Sequence, residues 1–144
     1  MQVVCDTSVL VAAMVEQHPG YERAFPWLGR AKRQECECCV TTHSLAELYA
    51  VLTTLPVRPK IAPGTARRLI RENVETVARI VQITEKDYQH VLNNMAELDL
   101  SGGSIYDALV ARIAERLKVD KLLTFNLRDF RRVWPDGHQI VQEP

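Results

Sequence analysis

Short apolar runs alternate with longer segments of helical periodicity along this chain. Residues 2–5 are apolar and β-rich and end at Asp6-Thr7, a helix start. Residues 7–15 are then mostly apolar and predict a buried helix. A second helix is expected over about 21–33, bent near Pro26, whose ring removes a backbone donor. Residues 37–41 predict a strand and 44–55 a helix, with Pro56, Pro59, Pro63 and Gly64 marking the connection that follows. Over 65–80 the apolar positions Leu69, Val74, Val77 and Ile80 recur at helical spacing among charged neighbours. A short strand is read at 80–83, a helix from Thr84 to about residue 98, and a loop at Ser101-Gly102-Gly103-Ser104. A helix over 105–117, a strand over 121–125 and a last strand at 139–141 complete the pattern. Strands alternating with helices predict an α/β fold whose mainly parallel central sheet is covered by helices on both faces. No repeat, low-complexity tract or shift of composition divides the chain, so residues 1–144 are expected to form one domain.

Position along this pattern singles out a few polar residues. Asp6 closes the first strand, Glu47 sits on the helix after the second, and Asp107 sits in the first turn of the helix after the glycine loop. Thr124, Asn126 and Asp129 follow a later strand. Ligand sites of open α/β sheets form outside the carboxyl ends of the strands, where residues distant in sequence meet. Asp120 precedes its strand and belongs at the opposite edge. Each acid also has a plain structural explanation. Ser44-Leu45-Ala46-Glu47, Ser104-Ile105-Tyr106-Asp107 and Thr84-Glu85-Lys86-Asp87 all match a capping box, and Asp6 suits a helix cap. Glu47 departs from that explanation, because Leu45, Ala46, Leu48, Ala50 and Val51 surround it. A carboxylate in so apolar a segment is costly unless it is paired or bound to a cation.

Four blocks carry a resemblance to a known family. They are Val3-Val4-Cys5-Asp6-Thr7-Ser8-Val9-Leu10, Ser44-Leu45-Ala46-Glu47-Leu48, Tyr106-Asp107-Ala108-Leu109-Val110-Ala111 and Leu123-Thr124-Phe125-Asn126-Leu127-Arg128-Asp129-Phe130. In this order, spread over nearly the whole chain, they resemble the PIN domain, and more narrowly the VapC-type toxin nucleases of prokaryotic toxin–antitoxin pairs. The resemblance implies a PIN-like three-layer sandwich and a divalent-metal-dependent endoribonuclease leaving a 5′-phosphate and a 3′-hydroxyl. It makes Asp6, Glu47 and Asp107 the metal-binding acids, with Mg2+ or Mn2+ as cofactor. The family's fourth position, often an aspartate, falls at Asn126, which offers a neutral carbonyl oxygen; Asp129 is the alternative source of charge. Thr7, Ser8 and Thr124 are candidate supporting hydroxyls. The resemblance also implies an RNA substrate, a cognate antitoxin protein and a homodimer. A PIN-like domain that binds RNA or protein without cutting, and a housekeeping RNA-processing nuclease, are the alternatives. A receiver-type phosphoacceptor is disfavoured by Cys5, which stands where a second acid is wanted, and a haloacid-dehalogenase-like phosphatase by Ser8, two residues after Asp6.

Charge and cysteine content refine the picture only slightly. The formal net charge is zero, so overall charge does not mark a nucleic-acid binder, although an acidic pocket is able to cancel basic surroundings. Among the basic clusters, Arg112, Arg116 and Arg128 are the expected RNA-phosphate contacts. Cys36, Cys38 and Cys39 lie too close together for the usual zinc spacing with His43, and with Cys5 they suit reduced, buried thiols. No stretch approaches the roughly 18 to 20 apolar residues that span a bilayer, and the opening lacks a secretory pattern, so a cytoplasmic protein is expected.

Overall fold

The computed structural model describes all 144 residues. The strands are β1 (Gln2–Cys5), β2 (Glu37–Thr41), β3 (Arg79–Val81), β4 (Lys121–Leu123) and β5 (Val141–Gln142). They form one sheet in the order β3-β2-β1-β4-β5, and every neighbouring pair is parallel. The helices are α1 (Thr7–Met14), α2 (Tyr21–Lys32), α3 (Thr42–Thr54), α4 (Pro63–Ile70), α5 (Glu85–Glu97), α6 (Ser104–Leu117) and α7 (Leu127–Val133). None is long and apolar enough to cross a membrane.

Alternation along the strands builds three layers. Val3, Cys5, Cys38, Val40 and Leu123 face a core shared with α1, α2, α3 and α4. Val4, Cys39, Val81 and Leu122 face a second core shared with α5, α6 and α7. Central strands covered on both faces need near-continuous apolar runs, which β1 and β2 supply. The four cysteines are buried and free, and Cys5 and Cys38 lie 3.2 Å apart through their sulfurs on one face of the sheet. Cys39 points to the other face, so the thiols do not gather around a zinc site.

The structure departs from the sequence reading in four places. Helix α3 begins at Thr42 because the Thr41 side chain, rather than Ser44, caps it and accepts from Ser44 N at 3.1 Å. The helix expected over 65–80 runs from Pro63 and gives way to a π turn at Arg71–Glu75, and the chain then enters β3 at Arg79. Strand β4 is shorter than expected: Thr124 N still donates to Gln142 O at 3.0 Å, but the chain then turns at Phe125 and Asn126, with Asn126 N donating to Thr124 Oγ1. Helix α7 has no counterpart in the reading, its seven residues offering too few periodic apolar positions, although Phe130 on it is fully buried.

Of the three capping boxes in the sequence, one forms. The Thr84 side chain accepts from Asp87 N at 3.2 Å, and Asp87 Oδ2 accepts from Thr84 N at 3.0 Å. Asp87 is only 1 % exposed and also holds Arg112, whose Nε donates to Oδ1 at 3.2 Å, and Arg116, at 3.3 Å from Oδ2. Burial pushes this carboxyl up, but the Thr84 bonds and the two guanidinium groups outweigh it and hold its pKa below the ordinary value. Replacing Asp87 by Ala should therefore lower stability by about 2 kcal/mol at neutral pH, since it removes a cap and the buried acceptor of two arginines, which keep only Glu115 and the Gln82 carbonyl. Because the folded pKa is depressed, the contribution is present above roughly pH 4 and disappears as pH falls through the folded value. Urea denaturation of both proteins at pH 7 and pH 3 checks this: the difference should be large at the first and small at the second.

Candidate active site

Asp6 stands where β1 meets β4, its backbone N–H still donating to Leu123 O at 3.0 Å. Its side chain is 3 % exposed and is fixed by two hydroxyls. Ser8 Oγ donates to Oδ2 at 2.8 Å, and Thr124 Oγ1 donates to the same oxygen at 3.0 Å. Both hydroxyls are oriented from behind by backbone amides of the β4–α7 turn. Phe125 N donates to Ser8 Oγ at 3.1 Å and Asn126 N donates to Thr124 Oγ1 at 2.9 Å. That turn is held by the Phe125 ring against Gly20, where an added Cβ would come within 2.6 Å of the ring. Burial raises the Asp6 pKa, and the hydroxyl bonds oppose the rise without cancelling it.

Glu47 lies in the second turn of α3, beside His43, whose Nε2 is 3.3 Å from its carboxylate. Burial pushes the Glu47 carboxyl up and the charge of Asp6 adds to this, while His43 opposes both. The Thr7 hydroxyl also opposes the rise without reaching hydrogen-bond geometry: Thr7 Oγ1 is the one buried side-chain polar atom with no partner. Asp107, in the first turn of α6, is pushed up to about 7 by burial and then by the charges of Asp6, Asp129 and Glu47. At one edge of the sheet the charge of Asp6 thus raises Glu47, and both raise Asp107, although Asp6 and Asp107 are 101 positions apart in the chain. None of them serves as an ordinary cap. Thr41 caps α3, the N-cap of α6 is Gly103, and Asp6 makes no side-chain cap bond to α1.

The fourth position divides between two residues. Asn126, at the N-cap of α7, lines a cleft of about 360 Å³ with Asp6, Thr7, Ser8 and Glu47. Asp129, on α7, lines an adjoining polar opening of about 280 Å³ with Asp107 and Arg132. Arg112 and Arg116 are not available in the way the sequence suggested. They lie roughly 140° and 180° round α6 from Asp107, and both are committed to Asp87. Arg128 is exposed and pairs with no carboxylate, and Arg132 is the basic residue that lines the acidic opening. His43 is a second residue the reading passed over; its spacing of four from Glu47 on one helix was the available signal.

The donors gathered here are carboxylate, hydroxyl and amide oxygens, which suit Mg2+ or Mn2+ rather than zinc. No three Asp, Glu, His or Cys side chains converge closely enough to enclose an ion by themselves. The unpartnered Thr7 hydroxyl beside the acids is a polar atom that a hydrated ion would satisfy. The residues present fit the cofactor.

A family model described as PIN domain matches residues 3–134. Ribonuclease VapC27 of Mycobacterium tuberculosis (strain ATCC 25618 / H37Rv) is 33% identical over 109 residues, covering 76% of this chain and 74% of that protein. Ribonuclease VapC40 of Mycobacterium tuberculosis (strain CDC 1551 / Oshkosh) is 35% identical over 123 residues, covering 85% of each. Among solved structures, Mycobacterium tuberculosis VapC20, a toxin that cleaves the sarcin–ricin loop, superposes with a TM-score of 0.69 at 17% identity, over 86% of this chain and 89% of that one. VapBC2 from Rickettsia felis, bound to a DNA fragment from its promoter, gives 0.68 at 18% identity over 100% and 99%. At these identities the superpositions speak for the fold alone.

The acids make the metal-free protein sensitive to pH. Asp107 has a raised folded pKa, so its stabilising effect is complete below roughly pH 4 and is lost as pH rises through about 7. Replacing Asp107 by Asn should stabilise the chain at pH 8 in chelator by on the order of 1 kcal/mol after solvent screening, or about 3 °C in Tm. At pH 5 the gain should shrink, and magnesium should narrow the gap at pH 8 by stabilising the parent. Thermal melts at pH 5 and pH 8, each in chelator and in magnesium, check this, and a destabilised Asn variant at pH 8 in chelator contradicts it.

Proposed function

The chain belongs to the PIN-domain family, and from that premise we propose that it is a divalent-metal-dependent endoribonuclease acting through Asp6, Glu47 and Asp107. The observation that carries the reading is the gathering of three carboxyls from the end of β1, α3 and α6, where the charge of Asp6 bears on Glu47 and the charges of both bear on Asp107, and where none makes a side-chain cap. Groups that repel in this way are stabilised in their ionised form by a divalent cation. Asp6, Glu47 and Asp107 would hold it, with Asn126 on the side of Asp6 and Asp129 on the side of Asp107. The cation, Mg2+ or Mn2+, supplies Lewis-acid polarisation at phosphorus and a water that is nucleophilic near neutral pH.

The chain's own residues supply position and charge. Ser8 and Thr124 hold Asp6 in one orientation, because both hydroxyls point at the same carboxylate oxygen. Arg128 and Arg132, free of carboxylate partners, bind RNA phosphates flanking the acids. In the displacement the water oxygen forms a new bond to phosphorus as the bond to the 3′ oxygen breaks. The products are a 5′-phosphate and a 3′-hydroxyl.

The relatives named ribonucleases, and the description of VapC20 as a toxin, support the further reading that this chain is the toxin of a toxin–antitoxin pair. On that reading it acts in the cytoplasm as a homodimer and is restrained by a small cognate antitoxin. Copurification of a second small protein from the native host, and loss of RNA cutting in its presence, is the expected result. A chain that purifies alone and cuts RNA harmlessly in growing cells would instead be a processing enzyme.

Purified, partner-free protein should cut total RNA with magnesium or manganese, and chelator should stop it. Asp6→Asn should lower the rate by about a hundredfold or more while leaving the fold intact. Cutting that survives the substitution, or that is indifferent to chelator, removes the support for this site.

A further inference from the structure

His43 and Tyr106 form the flattest ring stack in the molecule, with centroids 5.1 Å apart and planes within 5°. His43 projects from the first turn of α3 and Tyr106 from the first turn of α6. These helices pack on opposite faces of the sheet, so the stack bridges the outer layers across the acidic edge. At one end it is tied to Glu47 through the His43 contact at 3.3 Å. At the other, Tyr106 immediately precedes Asp107 in the chain.

One face of the Tyr106 ring lies on His43, yet the side chain remains 52 % exposed. The opposite face is therefore open to solvent. A lone exposed tyrosine is ordinary, but an exposed ring backed by a second ring is held in a fixed plane. The ring face carries no charged group of its own and suits a neutral, flat group. Unpaired nucleobases stack on such faces, and bases inside a duplex do not present themselves for it.

We propose that Tyr106, backed by His43, is a stacking platform for the RNA base next to the phosphate that is cut. The proposal rests on the nuclease reading. Tyr106 touches the base; His43 is a positioning residue that keeps the ring flat.

The test uses a short single-stranded RNA of mixed sequence carrying 2-aminopurine, moved one position at a time, bound to the full chain in magnesium. The Asp6→Asn background keeps the RNA intact. At one position stacking should quench the fluorescence. Tyr106→Ala should abolish that quenching and weaken binding roughly tenfold, and Tyr106→Phe and Tyr106→Trp should restore both. His43→Ala should give a partial loss. The slope of affinity against salt should stay unchanged throughout, since no phosphate contact is removed. In cleavage assays without the Asp6 change, Tyr106→Ala should raise KM for looped RNA. Quenching that is absent, or that survives Tyr106→Ala, overturns the platform, while cutting by the parent chain leaves the nuclease reading standing. Equal loss in the Phe and Trp variants reduces Tyr106 to a strut between α3 and α6 and also overturns it. A parent chain that neither binds nor cuts RNA removes both readings.

Discussion

Carboxylates crowded at the end of a parallel sheet repel one another, and the arrangement around Asp6 exists to hold one of them still under that repulsion. Its carboxylate is almost fully buried, a state that favours the neutral acid. Two hydroxyls donating to one oxygen oppose that drift, and each hydroxyl is aimed by an amide of the β4–α7 turn. The Phe125 ring against Gly20 keeps the turn in place. A contact between a ring and a glycine thus reaches, through two backbone amides and two hydroxyls, the orientation of one carboxylate.

The same edge explains where the other groups come from. In a parallel sheet every strand ends on the same side, so α1, α3 and α7 all begin there, directly after β1, β2 and β4. Helix N-termini carry partial positive charge and unpaired amides, and negative groups are favoured beside them. This lowers the cost of placing Asp6 at the start of α1 and Asp107 in the first turn of α6. It does not abolish it, as the elevated Asp107 shows. The remaining cost is the ground for proposing a cation at this edge, across which the half-buried His43 and the exposed Tyr106 lie stacked.

Asp87 and Asp107 make an instructive contrast. Each stands three residues after a serine or threonine at the start of a helix, and the two motifs cannot be told apart by inspection. Asp87 closes a true capping box and is surrounded by Arg112 and Arg116, so its pKa falls. Asp107 finds no cap and faces three other acids, so its pKa rises. One arrangement contributes to stability, and the other stores repulsion at a site.

Much of this was legible in the chain alone. Apolar periodicity located β1, β2, α1, α3, α5 and α6, because each buries a face long enough to leave a pattern. The blocks around Asp6, Glu47 and Asp107 carried the family resemblance, and the positions of Asp6 and Glu47 after strands implied one edge. Helix α7 and the π turn at Arg71–Glu75 were not legible, since a few residues leave no period to read. Nor was the fate of the arginines: Arg112 and Arg116 follow Asp107 on the same helix, and only the packing of α5 against α6 turned them to Asp87. The stack of His43 on Tyr106 joins residues 63 positions apart from opposite layers of the sheet. Sequence determines which groups follow which strand, because that order is local; which of them touch is settled only when both layers close on the sheet, because contact depends on how the helices pack.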